Sequence, residues 1–284
     1  MKRLLPAPLA LAALLAAAVG CAAGGARPEA TPSEAAAPAQ GPGRLAEIVA
    51  RGELRVGLSG NQPPLNALNR SGEIIGMEVD LARLLAGSLG VDVRFVARPF
   101  AELLPALRAG EVDLVLSGMT ITPQRNLEVA FVGPYFVSGK SLLTKSQALA
   151  ASDEARDIDR PGVTLAALEG STSQRWIEVF APKATLVAVA GYDEGVRMVR
   201  NGEVDALLAD FPICVLSALR HADEGLVTLA SPLTVEPIGI ALPPDDFLFV
   251  NLVENYLTSL RSSGALEGLR QAWFERGEWL EQLP

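Results

Sequence analysis

The sequence predicts an α/β fold, because short apolar segments typical of strands alternate along the chain with segments of helical periodicity. A second observation predicts two similar units: the pattern of residues 107–116 returns at 199–208. Each copy is typical of a helix end stopped by glycine and followed by a buried strand, as in the crossovers of a parallel sheet. The alternative is two unrelated glycine-capped joints.

The elements follow in a regular order from residue 53 onward. Alternation or a short apolar run predicts strands at 53–58, 91–96, 112–116, 141–144, 163–168, 185–189, 204–208 and 238–242. Helical spacing predicts helices over 74–85, 100–109 and 246–260, and a last helix that contains Trp273 and Phe274. A proline-rich loop over 59–66 follows the first strand.

Two extended segments, near 137–143 and 233–238, would let the chain leave one lobe, build a second and return. They predict a two-strand hinge. The first lobe would then be discontinuous, comprising 44–139 and 237–284, and the second would be the insert 140–236, which is a usual domain size.

The N-terminus is typical of an export signal, with Lys2 and Arg3 before an apolar run over 4–19. Small residues precede Cys21, which predicts a lipoprotein whose signal is residues 1–20; the alternative is an ordinary secretory signal with an incidental cysteine. Residues 21–43 would be the lipidated cysteine and a flexible tether, because they contain almost no apolar periodicity.

Charge and composition argue against several classes of function. The net charge is −9 and becomes −11 if the signal is removed, and no basic patch appears, so nucleic acid is not an expected partner. Cys214 would be a buried apolar residue, and His221 is the sole histidine. Neither a His-based zinc site nor a Ser-His-Asp triad can be built, and we expect no cofactor and no metal.

The segment 112–125 predicts a carboxylate site. An apolar strand runs into a helix start that Thr122 can cap, with Pro123 in the first turn and Arg125 one turn in, where its guanidinium could clamp a carboxylate. The alternative is an ordinary helix start with a solvated arginine.

Ligands of such sheets lie beyond the carboxyl ends of the strands. In the first repeat these ends carry Ser117 and Gly118, and in the second they carry Asp210. An anion site would thus face a carboxylate, which suits a zwitterion whose carboxylate binds Arg125 and whose ammonium binds Asp210.

These segments resemble the bacterial family 3 extracellular solute-binding proteins, the polar amino-acid receptors of ABC importers. The likeness runs from Leu54 to Trp279 and is carried by the order of the segments at 76–81, 117–125, 131–135, 170–172, 202–206 with Asp210, and 236–241. It implies a two-lobed periplasmic-binding-protein fold, in which two α/β lobes close like a flytrap over a ligand in the cleft between them.

The resemblance also implies roles for individual residues. Arg125 would hold the α-carboxylate of an amino acid with Thr120 and the backbone of Thr172, while Ser117 and Gly118 line the amine side and Asp210 takes the ammonium. Phe100 matches an aromatic residue that packs on the ligand. The alternatives are that Asp210 only caps the helix at Phe211 and that Phe100 is core.

One wall of the pocket departs from the pattern of the family. Ser59 stands where relatives have an aspartate, and Gln62 lies in the loop where an aromatic is common, so a cationic ligand loses an expected partner. Glu169 could compensate, or it could be a solvated loop carboxylate.

The resemblance implies a binding protein rather than an enzyme, a monomer held to a bacterial membrane on its periplasmic side through Cys21, which delivers its ligand to an ABC permease and the associated ATPase. The same fold also resembles cyclohexadienyl dehydratases, for which Glu169 would be the candidate general acid. A sensing module that acts through a partner is the third possibility.

Overall fold

The computed structural model describes residues 43–152 and 154–284. The predicted signal at 1–20, the predicted lipidation site Cys21 and the predicted tether as far as residue 42 lie outside the described residues. Within them the predicted alternation is confirmed, because helices and strands succeed one another from Arg44 to the C-terminal end.

The helices of the described residues are α1 (Arg44–Arg51), α2 (Met77–Leu89), α3 (Leu103–Arg108), α4 (Pro123–Asn126), α5 (Gln147–Ala150), α6 (Ala155–Ile158), α7 (Thr172–Phe180), α8 (Tyr192–Asn201), α9 (Phe211–Arg220), α10 (Phe247–Ser262) and α11 (Ala265–Phe274). Single 3₁₀ turns cover Phe100–Glu102, Ala222–Glu224 and Glu278–Gln282. The strands are β1 (Glu53–Leu58), β2 (Asn61–Gln62), β3 (Asn66–Leu68), β4 (Ile74–Ile75), β5 (Asp92–Ala97), β6 (Leu114–Val115), β7 (Ala130–Ser138), β8 (Lys140–Thr144), β9 (Thr164–Leu168), β10 (Thr185–Val189), β11 (Ala206–Asp210), β12 (Val227–Thr228) and β13 (Glu236–Leu242).

Two five-stranded sheets share one plan. The first has the order β5-β1-β6-β13-β7 and the second β10-β9-β11-β8-β12. In each, the first three strands are parallel and the last two pairings are antiparallel. We call each sheet with its packed helices a lobe, lobe 1 for the first sheet and lobe 2 for the second. This is the predicted two-lobed α/β architecture.

The chain crosses between the lobes twice. β7 ends at Ser138 and β8 begins at Lys140, so only Gly139 separates a strand of lobe 1 from a strand of lobe 2. The return enters β13 at Glu236, which is opposite Ser138 in the ladder. A Cβ built on Gly139 would lie 2.1 Å from the carbonyl oxygen of Thr234, so the two crossings approach too closely for any side chain at this position.

Two predictions about local structure are wrong. The loop over 59–66 contains β2 and the start of β3, which form a small sheet with β4. The helix expected from residue 74 begins only at Met77, because Ile74–Ile75 is a strand and Gly76 adopts φ +145°, which a helix does not allow. A Cβ on Gly76 would lie 2.0 Å from the carbonyl oxygen of Leu65, so only glycine fits at this position.

The internal repeat has a shared structural basis in Asp113 and Asp205. The Asp113 carboxylate accepts the backbone N–H of Arg55 at 2.8 Å, and the Asp205 carboxylate accepts that of Thr164 at 2.7 Å. In each lobe the acid therefore fixes the central strand against its parallel neighbour. Asp113 is fully buried and also pairs with three arginines, Arg51 at 2.5 Å, Arg55 at 2.7 Å and Arg44 at 3.6 Å.

Apolar packing is continuous across the two lobes. Lobe 1 has a buried cluster around Leu54 and Phe249, and lobe 2 has one around Leu165. A third buried cluster includes side chains of both, among them Phe100 of lobe 1 and Tyr192 of lobe 2. The lobes are thus in contact beside the ends of their strands.

Candidate functional site

The predicted site residues lie where the two lobes face each other. The segment after β6 carries Ser117, Gly118 and Thr120, the segment after β9 carries Gly170 and leads into α7, and β11 ends at Asp210. These residues belong to two bonded groups, one that contains Thr120, Gly170 and Asp210 and one that contains Ser117 and Gly118.

Arg125 is held between the lobes by two carbonyl groups. Its Nη1 donates to the Thr120 carbonyl at 2.9 Å and its Nη2 donates to the Gly170 carbonyl at 3.2 Å. The guanidinium carbon lies 5.6 Å from the centre of the Phe100 ring, within the range of a cation–π contact. Burial lowers the pKa of Arg125 to about 10, although Asp210 and Glu236 oppose this change. The arginine remains protonated at neutral pH.

The Thr122 cap is present as predicted, and it changes where an anion could bind. The Thr122 hydroxyl accepts the backbone N–H of Arg125 at 3.2 Å, and the helix is a single turn, Pro123–Asn126. That backbone donor is therefore not available to a ligand. The guanidinium of Arg125, rather than the start of this helix, is the group that can hold a carboxylate.

A second set of donors comes from lobe 2 at the start of α7. Thr172 is the first residue of this nine-residue helix, so its N–H has no partner within the helix. The hydroxyl oxygens of Thr172 and Thr120 lie 3.3 Å apart and join the lobes. A cavity of about 500 Å³ opens beside them, lined by Thr122, Gln124, Arg125, Gly170, Ser171, Thr172 and Arg175.

Asp210 is buried and already pairs with a cation of the protein. Its Oδ1 lies 2.7 Å from the Nζ of Lys140, which is also buried. The same Nζ lies 3.7 Å from Oε2 of Glu236. Sequence reasoning did not identify Lys140 or Glu236 as site residues. The register of β8 against β11 places Lys140 directly opposite Asp210, and only that pairing reveals the contact.

Ser59, Gln62 and Ser117 form a neutral polar wall. The backbone N–H of Ser59 donates to the Ser117 hydroxyl at 3.0 Å, and that hydroxyl donates to Oε1 of Gln62 at 2.7 Å. Gln62 and Ser117 are buried. The structure thus brings these three predicted residues together, with their side chains bonded to one another.

Glu78 supports this wall from behind and was not predicted. Its carboxylate accepts hydrogen bonds from the Gly118 N–H at 2.6 Å, from Asn66 at 2.5 Å and from the hydroxyl of Tyr135. Burial raises the pKa of Glu78 above its ordinary value, and these hydrogen bonds oppose the change. Because its N–H is used here, Gly118 can offer a ligand only its carbonyl group and a close backbone approach.

Tyr192 is a further unpredicted residue of the site. It is buried at the start of α8, and its pKa is raised well above the ordinary value by burial and by the nearby charge of Asp210. Its hydroxyl is therefore neutral and can donate or accept a hydrogen bond. Tyr192 belongs to the same buried cluster as Phe100, at the junction of the two lobes.

Other chemistry-bearing residues lie apart from this group. Glu169 is exposed to solvent, and only its backbone makes a hydrogen bond in the described residues. Cys214 is buried, and burial raises its pKa to about 12, so it is not a nucleophile at neutral pH. Among residues 43–152 and 154–284, no group of histidine, cysteine and acidic side chains could hold a metal ion.

Residues 54–276 match the bacterial extracellular solute-binding proteins, family 3. The chain belongs to this family. Its relatives in the family include ABC transporter arginine-binding protein 1 of Escherichia coli, 25% identical over 78% of this chain and 90% of the relative. Cyclohexadienyl dehydratase of Pseudomonas aeruginosa is 26% identical over 82% of this chain and 86% of the enzyme.

Solved structures agree with the two-lobed fold. A protein of Wolinella succinogenes described as an ABC-transporter binding component, in complex with lysine, is 35% identical and superposes with a TM-score of 0.77 over 81% of this chain and 99% of its own. Family members are extracellular or periplasmic binding proteins. In the part of this chain that the structure describes, no helix has the length and apolar character needed to span a bilayer.

Proposed function

We propose that this protein is the substrate-binding component of an ABC importer and captures a free amino acid by closure of its two lobes. The single observation that carries the proposal is Arg125, a cation held between one carbonyl of each lobe, with the acids Asp210 and Glu236 in the same cleft. A guanidinium and a carboxylate on opposite sides of a cleft complement the two charges of an amino acid.

In the bound state, the ligand carboxylate would lie against Arg125, with the N–H of Thr172 as a second donor. The ligand ammonium would lie near Oδ2 of Asp210, the carboxylate oxygen that accepts no hydrogen bond from the residues the structure describes. Such a ligand contacts both lobes at once, so it stabilises the closed arrangement relative to the open one. Phe100 would supply an apolar surface beside it.

The finer assignments rest on the N-terminal sequence and on the family. Lipidation of Cys21 would anchor the receptor to a bacterial membrane, and residues 22–43 would let it reach its permease while staying concentrated near it. The mature protein would act as a monomer on the periplasmic side, and residues 44–139 with 237–284 and residues 140–236 would move as the two lobes.

The dehydratase relative raises an enzymatic alternative, and the position of Glu169 counts against it. A general acid must be held within reach of the group that it protonates. Glu169 is exposed and is not among the residues that line the cavity beside Arg125. We therefore propose binding without turnover.

The test is a thermal-shift screen of the full chain, purified in detergent, against the twenty amino acids, small carboxylates, prephenate and arogenate, with product assays on the last two. A binding protein is expected to show a large rise in the unfolding temperature with one or a few amino acids, and no product. Product from prephenate or arogenate would replace the binding role by an enzymatic one.

A further inference from the structure

We propose that Lys140 determines the ligand class of this receptor, restricting it to amino acids whose side chains carry no positive charge. This inference rests on the proposed function, because it concerns the same cleft. It is not implied by the relatives, one of which is named for arginine and another of which was solved with lysine.

The position of Lys140 is built into the sheet. As the first residue of β8 it is paired with Asp210 of β11, so the two side chains lie on the same face of the sheet. Only about 2% of the lysine side chain and 9% of the aspartate side chain are exposed. The backbone N–H of Lys140 donates to the Thr234 hydroxyl and its carbonyl accepts the N–H of Leu233, which fix the strand from the other side.

Lys140 belongs to the same bonded group as the carboxylate-binding residues. Its second partner, Glu236, accepts a hydrogen bond from the Thr172 hydroxyl at 3.3 Å, and that hydroxyl contacts Thr120. The Thr120 carbonyl in turn accepts a hydrogen bond from Arg125. A continuous path of contacts thus joins the two cations of the cleft.

The charges along this path are balanced. Arg125 and Lys140 are positive, and Asp210 and Glu236 are negative. A zwitterion with a neutral side chain keeps that balance when the cleft closes. A ligand with a cationic side chain would place one further positive charge in a closed cleft, and a buried charge without a counter-ion is costly.

In the cavity beside Ser59, Asp193 is an acidic lining residue, and Arg197, Arg200 and Arg220 line the same cavity with positive charges. The groups nearer to Lys140 supply no free acid in the described residues. Ser59, Gln62 and Ser117 form a neutral hydrogen-bonded group. Glu78 is buried behind Gly118, and its oxygens accept hydrogen bonds from three neighbours, which include Tyr135. The Tyr192 hydroxyl is neutral. Lys140 is therefore the residue whose charge decides whether an acid of this cleft is free for a ligand cation.

The experiment is isothermal titration calorimetry of the full chain in detergent with glutamine, serine, leucine, phenylalanine, arginine and lysine. The wild type is expected to bind its best neutral amino acid about tenfold or more tightly than arginine or lysine. In Lys140→Gln the cleft gains a free carboxylate, so this preference should fall about tenfold or reverse.

Two variants serve as controls. Lys145→Gln removes an exposed cation only five residues along the chain and should leave the preference unchanged. Lys140→Gln combined with Asp210→Asn removes one charge of each sign, so it should keep the preference for neutral ligands even though overall affinity falls. If Lys140→Gln alone does not fold, the ligand preference of the wild type still tests the proposal.

Binding of arginine or lysine by the wild type as tightly as any neutral amino acid would overturn the role of Lys140 and leave the receptor function standing. An unchanged preference in Lys140→Gln would overturn it too. If no amino acid binds the wild type, the proposed function itself fails.

Discussion

The Nη2 of Arg125 donates a hydrogen bond to the Gly170 carbonyl at 3.2 Å, which ties a cation of lobe 1 to the backbone of lobe 2. The loop at Gly170 also approaches Ala101 of lobe 1, and a Cβ on the glycine would lie 3.0 Å from that residue. In the proposed function, capture of a carboxylate at Arg125 and closure of the lobes would thus be coupled at one point. Events at this arginine should affect affinity without affecting the fold.

We expect Arg125→Ala to weaken amino-acid binding about 100-fold or more, because it removes a charge-assisted, two-donor partner of the carboxylate. The unfolding temperature without ligand should change little, since the hydrogen bonds of the guanidinium within the described residues go to two backbone carbonyls. Calorimetry measures the affinity. Arg175→Ala is the matched control, because Arg175 lines the same cavity but is exposed and pairs with Glu178. Equal losses in the two variants would contradict the assignment of Arg125.

Asp210→Asn should separate two roles of the acid. Loss of the charge leaves Lys140 buried with Glu236 as its remaining partner at 3.7 Å, so we expect the free energy of unfolding to fall by about 3 kcal/mol. Affinity for an amino acid should fall towards that of its des-amino analogue. Equal binding of the parent and the analogue by the wild type would show that Asp210 does not bind an ammonium.

The double variant Lys140→Met with Asp210→Asn should recover most of the stability that Asp210→Asn loses, because the buried lysine charge is gone and Glu236 keeps its hydrogen bonds from the Thr172 and Thr234 hydroxyls. Urea denaturation of the three proteins measures this. If the double variant is no more stable than Asp210→Asn, the ion pair is not the source of the loss.

The pH dependence of stability should carry a contribution from Glu78. Its pKa is raised in the folded protein, so the folded state holds this proton more tightly than the unfolded state does. The contribution is therefore fully present below the ordinary glutamate pKa, and it is lost as the pH rises from there through the raised value. Glu78→Gln cannot titrate. The stability difference, wild type minus variant, should decrease from pH 4.5 upward, and a difference that grows would contradict the burial effect.

Gly139→Ala should destabilise the protein by about 1–3 kcal/mol, because the added Cβ would overlap the Thr234 carbonyl and the side chain of Pro232 and force the two crossings apart. Gly87→Ala is the opposite case. It lies in the middle of α2 with no atom within 4 Å of an added Cβ, so it should stabilise by about 0.5–1 kcal/mol. Thermal or urea unfolding of both variants checks the prediction, which fails if Gly139→Ala is neutral.

The strands were predictable where a short apolar run is bounded by turn residues. β1 and β10 have the predicted limits, 53–58 and 185–189. The hairpin of β2 and β3 was not predictable, because its residues are mostly polar and prolines interrupt them. It is stabilised by the side chain of Asn66, which accepts the Gly60 N–H and donates to the buried carboxylate of Glu78. Sequence patterns do not reveal such contacts.

Of the candidate site, the residues at strand ends and Arg125 could be predicted, because strand ends and a capped helix start are local patterns. Lys140, Glu236 and Glu78 could not. A lone charged residue in a strand or on a helix is normally solvated, and only the register of β8 with β11 and the packing of α2 against the site place these charges inside the protein.

In the proposed lipid-anchored receptor, Asp113 would have a mechanical consequence. The helix α1 follows the proposed tether. Asp113 forms ion pairs with Arg44 and Arg51 of this helix, and Asp246 accepts the N–H of Leu45 at 2.8 Å. A force on the tether would therefore be transmitted to the central strand of lobe 1. It would not act on Gly139, where the chain crosses between the lobes. Lobe 1 would then be the lobe held by the tether, and lobe 2 could rotate about the crossings whatever the tension on the tether.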